Sequence, residues 1–147
     1  MGEARDVMNR LTEAVFSNDR EALSQLYAED ATAEVPDQGT IQGREGVMDW
    51  ALEFQESFPD SSYEDGNQYE VGDTAIDEGW FVGTNTGPIA MPDGSSIPAT
   101  GKHVRIRAVD IATVEDGVIT SHRFYFDQMD FLGQLGLMPE EQGAAAS

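Results

Sequence analysis

Pro59 divides this chain into two stretches of different periodicity, and that division restricts the fold more than any other feature of the sequence. Before it, apolar residues recur at three- and four-residue steps; after it, alternation and turn residues take over. Val7, Met8, Leu11, Val15 and Phe16 form one helical stripe. Asn18-Asp19-Arg20-Glu21 reads as a stop and restart, with Asn18 and Glu21 at capping-box spacing. A short second helix follows, burying Leu23, Leu26 and Tyr27. Ala31 to Val35 predicts a short strand closed by Pro36. Gly43-Arg44-Glu45-Gly46 opens a third helix, whose apolar face carries Val47, Trp50, Ala51, Phe54 and Phe58. Pro59 ends it, because the residue before a proline avoids helical geometry.

Downstream, Tyr63 to Val71 and Thr74 to Thr86 predict two strands joined at Gly72-Asp73. Gly87 to Gly101 reads as a long loop rich in Gly, Pro and Ser. Lys102 to Val114 and Val118 to Phe126 predict a hairpin around Glu115-Asp116-Gly117, where Asp-Gly supplies positive φ at low cost. A last helix is expected from about Gln128 to Leu135, with Gly136 as its C-cap and Pro139 as a stop. Helices segregated from consecutive antiparallel strands indicate the α+β class. The expected architecture is a strongly curved sheet wrapped against helices and enclosing a pocket. Nothing repeats and no linker divides the 147 residues. One domain over residues 1–141 is therefore expected, with 142–147 as a flexible tail.

Charge narrows the partners. Twenty-eight acidic residues face eight basic ones, a formal net charge of −20. Such a field repels phosphate backbones and anionic membrane surfaces, so neither nucleic acid nor membrane is an expected partner. Lys102 is the single lysine. Abundant Asp and Glu with almost no Lys is similar to proteins of salt-accumulating organisms; an ordinary acidic bacterial protein is the other reading. No apolar run approaches the ~20 residues that cross a bilayer. The N-terminus is polar and acidic, unlike a secretory signal peptide, which points to the cytoplasm. Cysteine is absent, which removes disulfides, thiolate nucleophiles and Cys-ligated zinc. With two histidines, His103 and His122, and no EF-hand spacing, no metal site is expected.

Acid–base chemistry in an apolar pocket remains. The unusual residues gather on the predicted hairpin. On an alternating strand Ser121, Arg123, Tyr125 and Asp127 share one face, and His122, Phe124 and Phe126 the other. Asp127, at the junction with the last helix, is either its N-cap or a carboxylate raised in pKa by aromatic surroundings and able to take a carbon-bound proton. His122 either orients a carboxylate, acts as general acid, or fills a core position. Asp110 lies mid-strand among apolar residues; if buried it must be paired, with Arg105, Arg107 or Arg123 as candidates. Trp50, Phe54 and Trp80 are either core or a ligand platform. His103 is expected at an exposed strand start.

Leu26-Tyr27-Ala28-Glu29-Asp30, Gly43-Arg44-Glu45 and Phe58-Pro59-Asp60 resemble stretches of the SnoaL-like polyketide cyclases, or ester cyclases, of the NTF2-like superfamily. Gly83-Thr84-Asn85-Thr86-Gly87 resembles their G-T-H-T-G, with Asn85 in place of the histidine. Ile97-Pro98-Ala99-Thr100-Gly101-Lys102 resembles their I-P-P-T-G-[RK]. The resemblance extends through Val109-Asp110, Glu115-Asp116-Gly117-Val118-Ile119, His122, Tyr125-Phe126-Asp127-Gln128 and Gln134-Leu135-Gly136-Leu137, and so covers residues 9–139. It implies a cone-shaped α+β barrel, commonly dimeric through the outer face of the sheet. It also implies ring closure by intramolecular aldol condensation without metal or cofactor, with an aspartate as acid/base, carried over to Asp127. Many relatives have Trp where this chain has Arg123. An Arg beside Asp127 either depresses its pKa or binds an enolate oxygen.

The expected catalytic residues are therefore Asp127, His122 and Arg123, with Trp50, Phe54, Trp80, Asn85, Asp110 and Tyr125 binding a hydrophobic, carbonyl-bearing small molecule. An isomerase or hydrolase using the same pocket, and a non-catalytic binding domain favoured by Arg123 and Asn85, remain open.

Overall fold

The computed structural model describes residues 2–36, 38–91 and 93–137; the expected stop at Pro139 and the tail over 142–147 lie outside them. Helix α1 (Glu3–Phe16) buries Ala4, Val7, Met8, Leu11 and Ala14 along one stripe. It is followed by α2 (Arg20–Leu26), β1 (Tyr27–Val35), β2 (Gly39–Gln42) and α3 (Arg44–Ser57). The second part contains β3 (Ser62–Val71), β4 (Thr74–Thr84), a miniature pair β5 (Ile89–Ala90) and β6 (Ser96–Ile97), the hairpin β7 (His103–Glu115) and β8 (Val118–Phe126), and α4 (Gln128–Leu135).

Four local expectations change, the first being the loop expected over 87–101, within which β5 and β6 pair antiparallel. Asp19, not Asn18, caps α2: its Oδ1 accepts from the Ala22 amide at 3.1 Å, while Asn18 takes the left-handed conformation (φ 55°) that its short polar side chain tolerates. Strand β1 starts four residues earlier than the alternation suggests, directly at the C-cap of α2. Strand β2 was hidden by its polar sequence, Gly-Thr-Ile-Gln, and forms only because β1 offers a partner edge.

The main sheet runs β2-β1-β8-β7-β4-β3. Every neighbouring pair is antiparallel except β1 and β8, which run parallel. Helices α1 and α3 pack on one face of this curved sheet, which gives the α+β architecture expected. Strand β4 alternates without a break: Ala75, Asp77, Gly79, Phe81 and Gly83 are buried, and Thr74, Ile76, Glu78, Trp80 and Val82 face outward.

Two apolar clusters fill the interior. One joins α1, α2 and α3 to β1, β7 and β8 around Tyr27, Met48 and Ile119. The other gathers Phe58, Phe81, Val104, Ile106, Phe131 and Leu135 where α4 closes the far end. Burying each such side chain contributes about 1.5–3 kcal/mol. Phe54 packs against both clusters. Gly136 ends α4 in the left-handed conformation (φ 77°), as its sequence position predicts.

Candidate active site

Asp110 and His122 meet because of sheet register. Ala112 stands opposite His122 and Asp110 opposite Phe124, so the two are diagonal neighbours on the inner face of the β7–β8 hairpin. His122 Nε2 lies 2.6 Å from Asp110 Oδ1. The other ring nitrogen, Nδ1, lies 2.8 Å from the hydroxyl of Tyr27, the residue at which α2 becomes β1. The edge of Trp50 on α3 meets the imidazole, centroids 5.0 Å apart. Strand, helix and helix–strand junction thus fix one histidine from three directions.

Hydrogen-bond inventory assigns the protons. An ionised Asp110 only accepts, so His122 donates through Nε2–H. Tyr27 is fully buried, and desolvation, with a smaller contribution from the Asp110 charge, pushes its phenol well above the usual tyrosine range. It therefore keeps its proton and donates to Nδ1. Both nitrogens of His122 are committed, and no lone pair is left to act on a substrate. Asp110 Oδ2, by contrast, takes no hydrogen bond within the described residues. Asp110, His122, Trp50, Phe54, Phe81 and Phe124 line a cavity of about 60 Å³ between α1, α3 and the sheet. The arrangement is an aspartate held by one oxygen, at the wall of an aromatic cavity, with its second oxygen unclaimed.

The pairing expected for Asp110 is corrected: its partner is His122, not an arginine. Arg105 and Arg107 lie on the outer face, their guanidinium carbons 3.9 and 4.5 Å from the ring centroid of Trp80. Arg105 also reaches Glu64 at 3.2 Å. Arg123 stands opposite Ile111 on the same outer face.

Four further expected site residues stand outside the cavity. Asp127 is exposed and caps α4, its Oδ1 accepting from the Asp130 amide at 3.0 Å; the expectation of a carboxylate buried among rings is corrected. Tyr125 is 43% exposed on the outer face, and Trp80 lies there too, between its two arginines. Asn85 is buried completely but spends its amide on the chain itself. Its Nδ2 donates to the Ser57 and Gly87 carbonyls at 3.1 and 2.8 Å, and its Oδ1 accepts from the Thr100 amide and hydroxyl at 2.8 and 2.9 Å. It staples the loop after β4 and has no hydrogen-bonding capacity left for a ligand. His103, as expected, is exposed at the start of β7, its Nδ1 3.0 Å from the Thr84 hydroxyl.

Sequence reasoning missed Tyr27, Arg5 and Asp77. Asp77 stands opposite Asp110 across β4 and β7 and is 2% exposed. Arg5 of α1 reaches it at 2.6 Å and also donates to Asn9 Oδ1. This buried pair docks α1 across the sheet beside the Asp110–His122 pair. Its signal was an acidic residue at an inward position of β4, between Ala75 and Gly79. No three His, Asp or Glu side chains converge as metal ligands among the described residues.

A second, larger cavity of about 230 Å³ lies between α3, β5 and α4. Asp127 lines neither it nor the Trp50–His122 cavity.

Comparison with known proteins places this geometry. None of the functionally curated proteins matches the chain. Among solved structures, a candidate SnoaL-like polyketide cyclase from Jannaschia sp. CCS1 superposes with a TM-score of 0.81 at 18% identity, covering 93% of this chain and 94% of that one. IdmH from Streptomyces antibioticus, a candidate polyketide cyclase, matches at 28% identity and a TM-score of 0.75, covering 92% and 99%. A protein from Catenulispora acidiphila with a ketosteroid isomerase-like fold, in complex with trimethylamine, matches at 20% identity and a TM-score of 0.72, covering 91% and 95%. The model of the SnoaL-like domain matches residues 8–122, from the first helical stripe to the histidine of the cavity, and the chain belongs to that family.

Proposed function

We propose that the protein is a cyclase-type enzyme performing acid–base chemistry, without a cofactor, on a hydrophobic carbonyl compound, and that Asp110 rather than Asp127 is its base. One observation carries this reading: Asp110 is the carboxylate that lines the aromatic cavity, with one oxygen held by His122 and the other unclaimed. Oδ2 takes a proton from the carbon α to a carbonyl, and the electron pair of that C–H bond becomes an enolate. The enolate carbon attacks a second carbonyl carbon of the same molecule, forming the ring bond, and the new alkoxide recovers the proton from Asp110. Atoms and charge balance with no further reactant. Among the described residues no arginine or lysine lines the cavity to neutralise an enolate. The substrate must therefore bring its own acidity, with the α-carbon between two carbonyls. His122 is a positioning residue, and Tyr27 fixes its tautomer.

The small volume of the cavity favours a second reading, a ketone isomerase in which Asp110 returns the proton to another carbon of the same fragment. Product connectivity separates the two. We also place the protein as a homodimer through the outer face of the sheet, where Trp80, Val109 and Tyr125 gather.

The test is turnover of a β-keto polyketide ester by Asp110→Asn and Asp127→Asn. Asp110→Asn is expected to lose at least 100-fold in kcat while remaining folded, the order of a missing general base. Asp127→Asn, which keeps a capping side chain, is expected to retain wild-type turnover. An active Asp110→Asn protein would remove the mechanism.

A further inference from the structure

Strand β8 lines both cavities with successive inward residues: His122 and Phe124 face the smaller, Phe126 the larger. From His122 to Phe126 the strand advances about 13 Å. Among the described residues, Phe54 is the one that lines both cavities. Its ring lies 5.3 Å from Phe81 and 6.1 Å from Phe124 on one side, and 6.3 Å from Phe126 and 6.4 Å from Phe131 on the other. The larger cavity is walled by Phe58, Ile89, Leu132 and Leu135 among others. Its polar side chains include Ser57, whose hydroxyl donates to the Pro88 carbonyl at 2.9 Å, and Gln38, which donates to Glu53 at 3.2 Å. Glu53 lines this cavity as well, in a chain whose formal net charge is −20.

We propose that the larger cavity is the second compartment of the same site, and that it holds the neutral, apolar tail of an extended substrate whose carbonyl end reaches Asp110. Assigning the carbonyl end to Asp110 rests on the function proposed above; the occupancy of the larger cavity by an apolar chain does not. A molecule that touches both compartments spans about 13 Å along β8, which calls for a linear chain rather than a compact ring. The lining is mostly apolar, which makes hydrophobic burial the source of affinity. The net charge of −20 over the chain disfavours fatty acids and phosphate esters, so the chain end in this compartment is uncharged. Phe54 is the partition that the chain passes, turning its ring aside.

The experiment measures binding, not turnover. Affinities of butan-2-one, hexan-2-one, octan-2-one and decan-2-one are read by ligand-detected NMR on the wild-type protein and on Ala90→Trp and Leu132→Trp. Both substitutions put bulk into the larger cavity, and Ala90 is exposed, so its replacement leaves the core untouched. In the wild type, affinity is expected to rise about fourfold per added methylene. In both variants that gain is expected to vanish for the longer ketones, with butan-2-one binding unchanged. Decanoate is expected to bind at least tenfold more weakly than decan-2-one. A flat series in the wild type, or the same rise in both variants, overturns the proposal. An inactive Asp110→Asn protein together with a flat series would sink the compartment alone; an active one together with a rising series would sink the base alone.

Discussion

Tyr27 is a phenol that this fold does not allow to ionise. Its hydroxyl is buried against His122 and faces the Asp110 carboxylate through the imidazole, so both burial and charge raise its pKa. The consequence for stability follows by linkage. A group whose folded pKa lies above its unfolded value, about 10 for tyrosine, favours the folded state fully below that pH. Its contribution is lost as pH rises further, because the unfolded chain releases a proton that the folded chain must keep. Urea unfolding of the wild type is therefore expected to show a loss of stability above about pH 10 that is shallower in Tyr27→Phe. At neutral pH the variant should be less stable by about 1–3 kcal/mol, since His122 Nδ1 is left buried without a donor. Equal alkaline slopes in the two proteins would contradict this assignment. Tyr27 was legible only as a buried residue at the end of a helix; that its hydroxyl would complete a histidine relay depends on a strand 95 positions away.

Strands β7 and β8 show what alternation can and cannot convey. Parity correctly separates His122, Phe124 and Phe126 from Arg123, Tyr125 and Asp127, and the aromatics identify the inner face. Asp127, sharing parity with exposed residues, had to point outward, and the local pull of a helix N-terminus decided its role. Asp110 was legible as a carboxylate among apolar residues in need of a partner, but not as the partner of His122. That diagonal depends on hairpin register, and a bulge between Thr113 and Val114 shifts the register by an amount no spacing rule supplies. Trp80 belongs to β4, where the same parity with Ile76 and Val82 places it outside. The outer face of these strands carries the proposed contact between subunits. Sedimentation is expected to give twice the 16.0 kDa chain mass for the wild type, and the single-chain mass for Val109→Glu, which sets a charge opposite Tyr125. A wild-type monomer would end that proposal.

At the scale of the whole molecule, 28 acidic against eight basic side chains make self-repulsion a standing cost of compactness. Few of the ion pairs offset it. Arg20 with Glu45 and Asp49, and Arg105 with Glu64, have side chains 45% exposed or more and so contribute little. Screening should therefore stabilise the protein. The melting temperature is expected to climb from low salt to multimolar KCl, where the screening length falls from tens of ångströms to about 3 Å; a flat curve would leave an ordinary acidic protein. Fold class, the four long strands β3, β4, β7 and β8 and the closing helix were readable from periodicity. The parallel seam between β1 and β8 was not, because nothing in either strand's own sequence names its neighbour. That seam also governs when the site comes into being. Tyr27 emerges from the ribosome early and His122 late, so every nascent chain that ends before residue 122 lacks both the carboxylate–imidazole pair and the Phe124 side of the pocket wall. The proposed site is complete only once the last long strand has slid in beside the first.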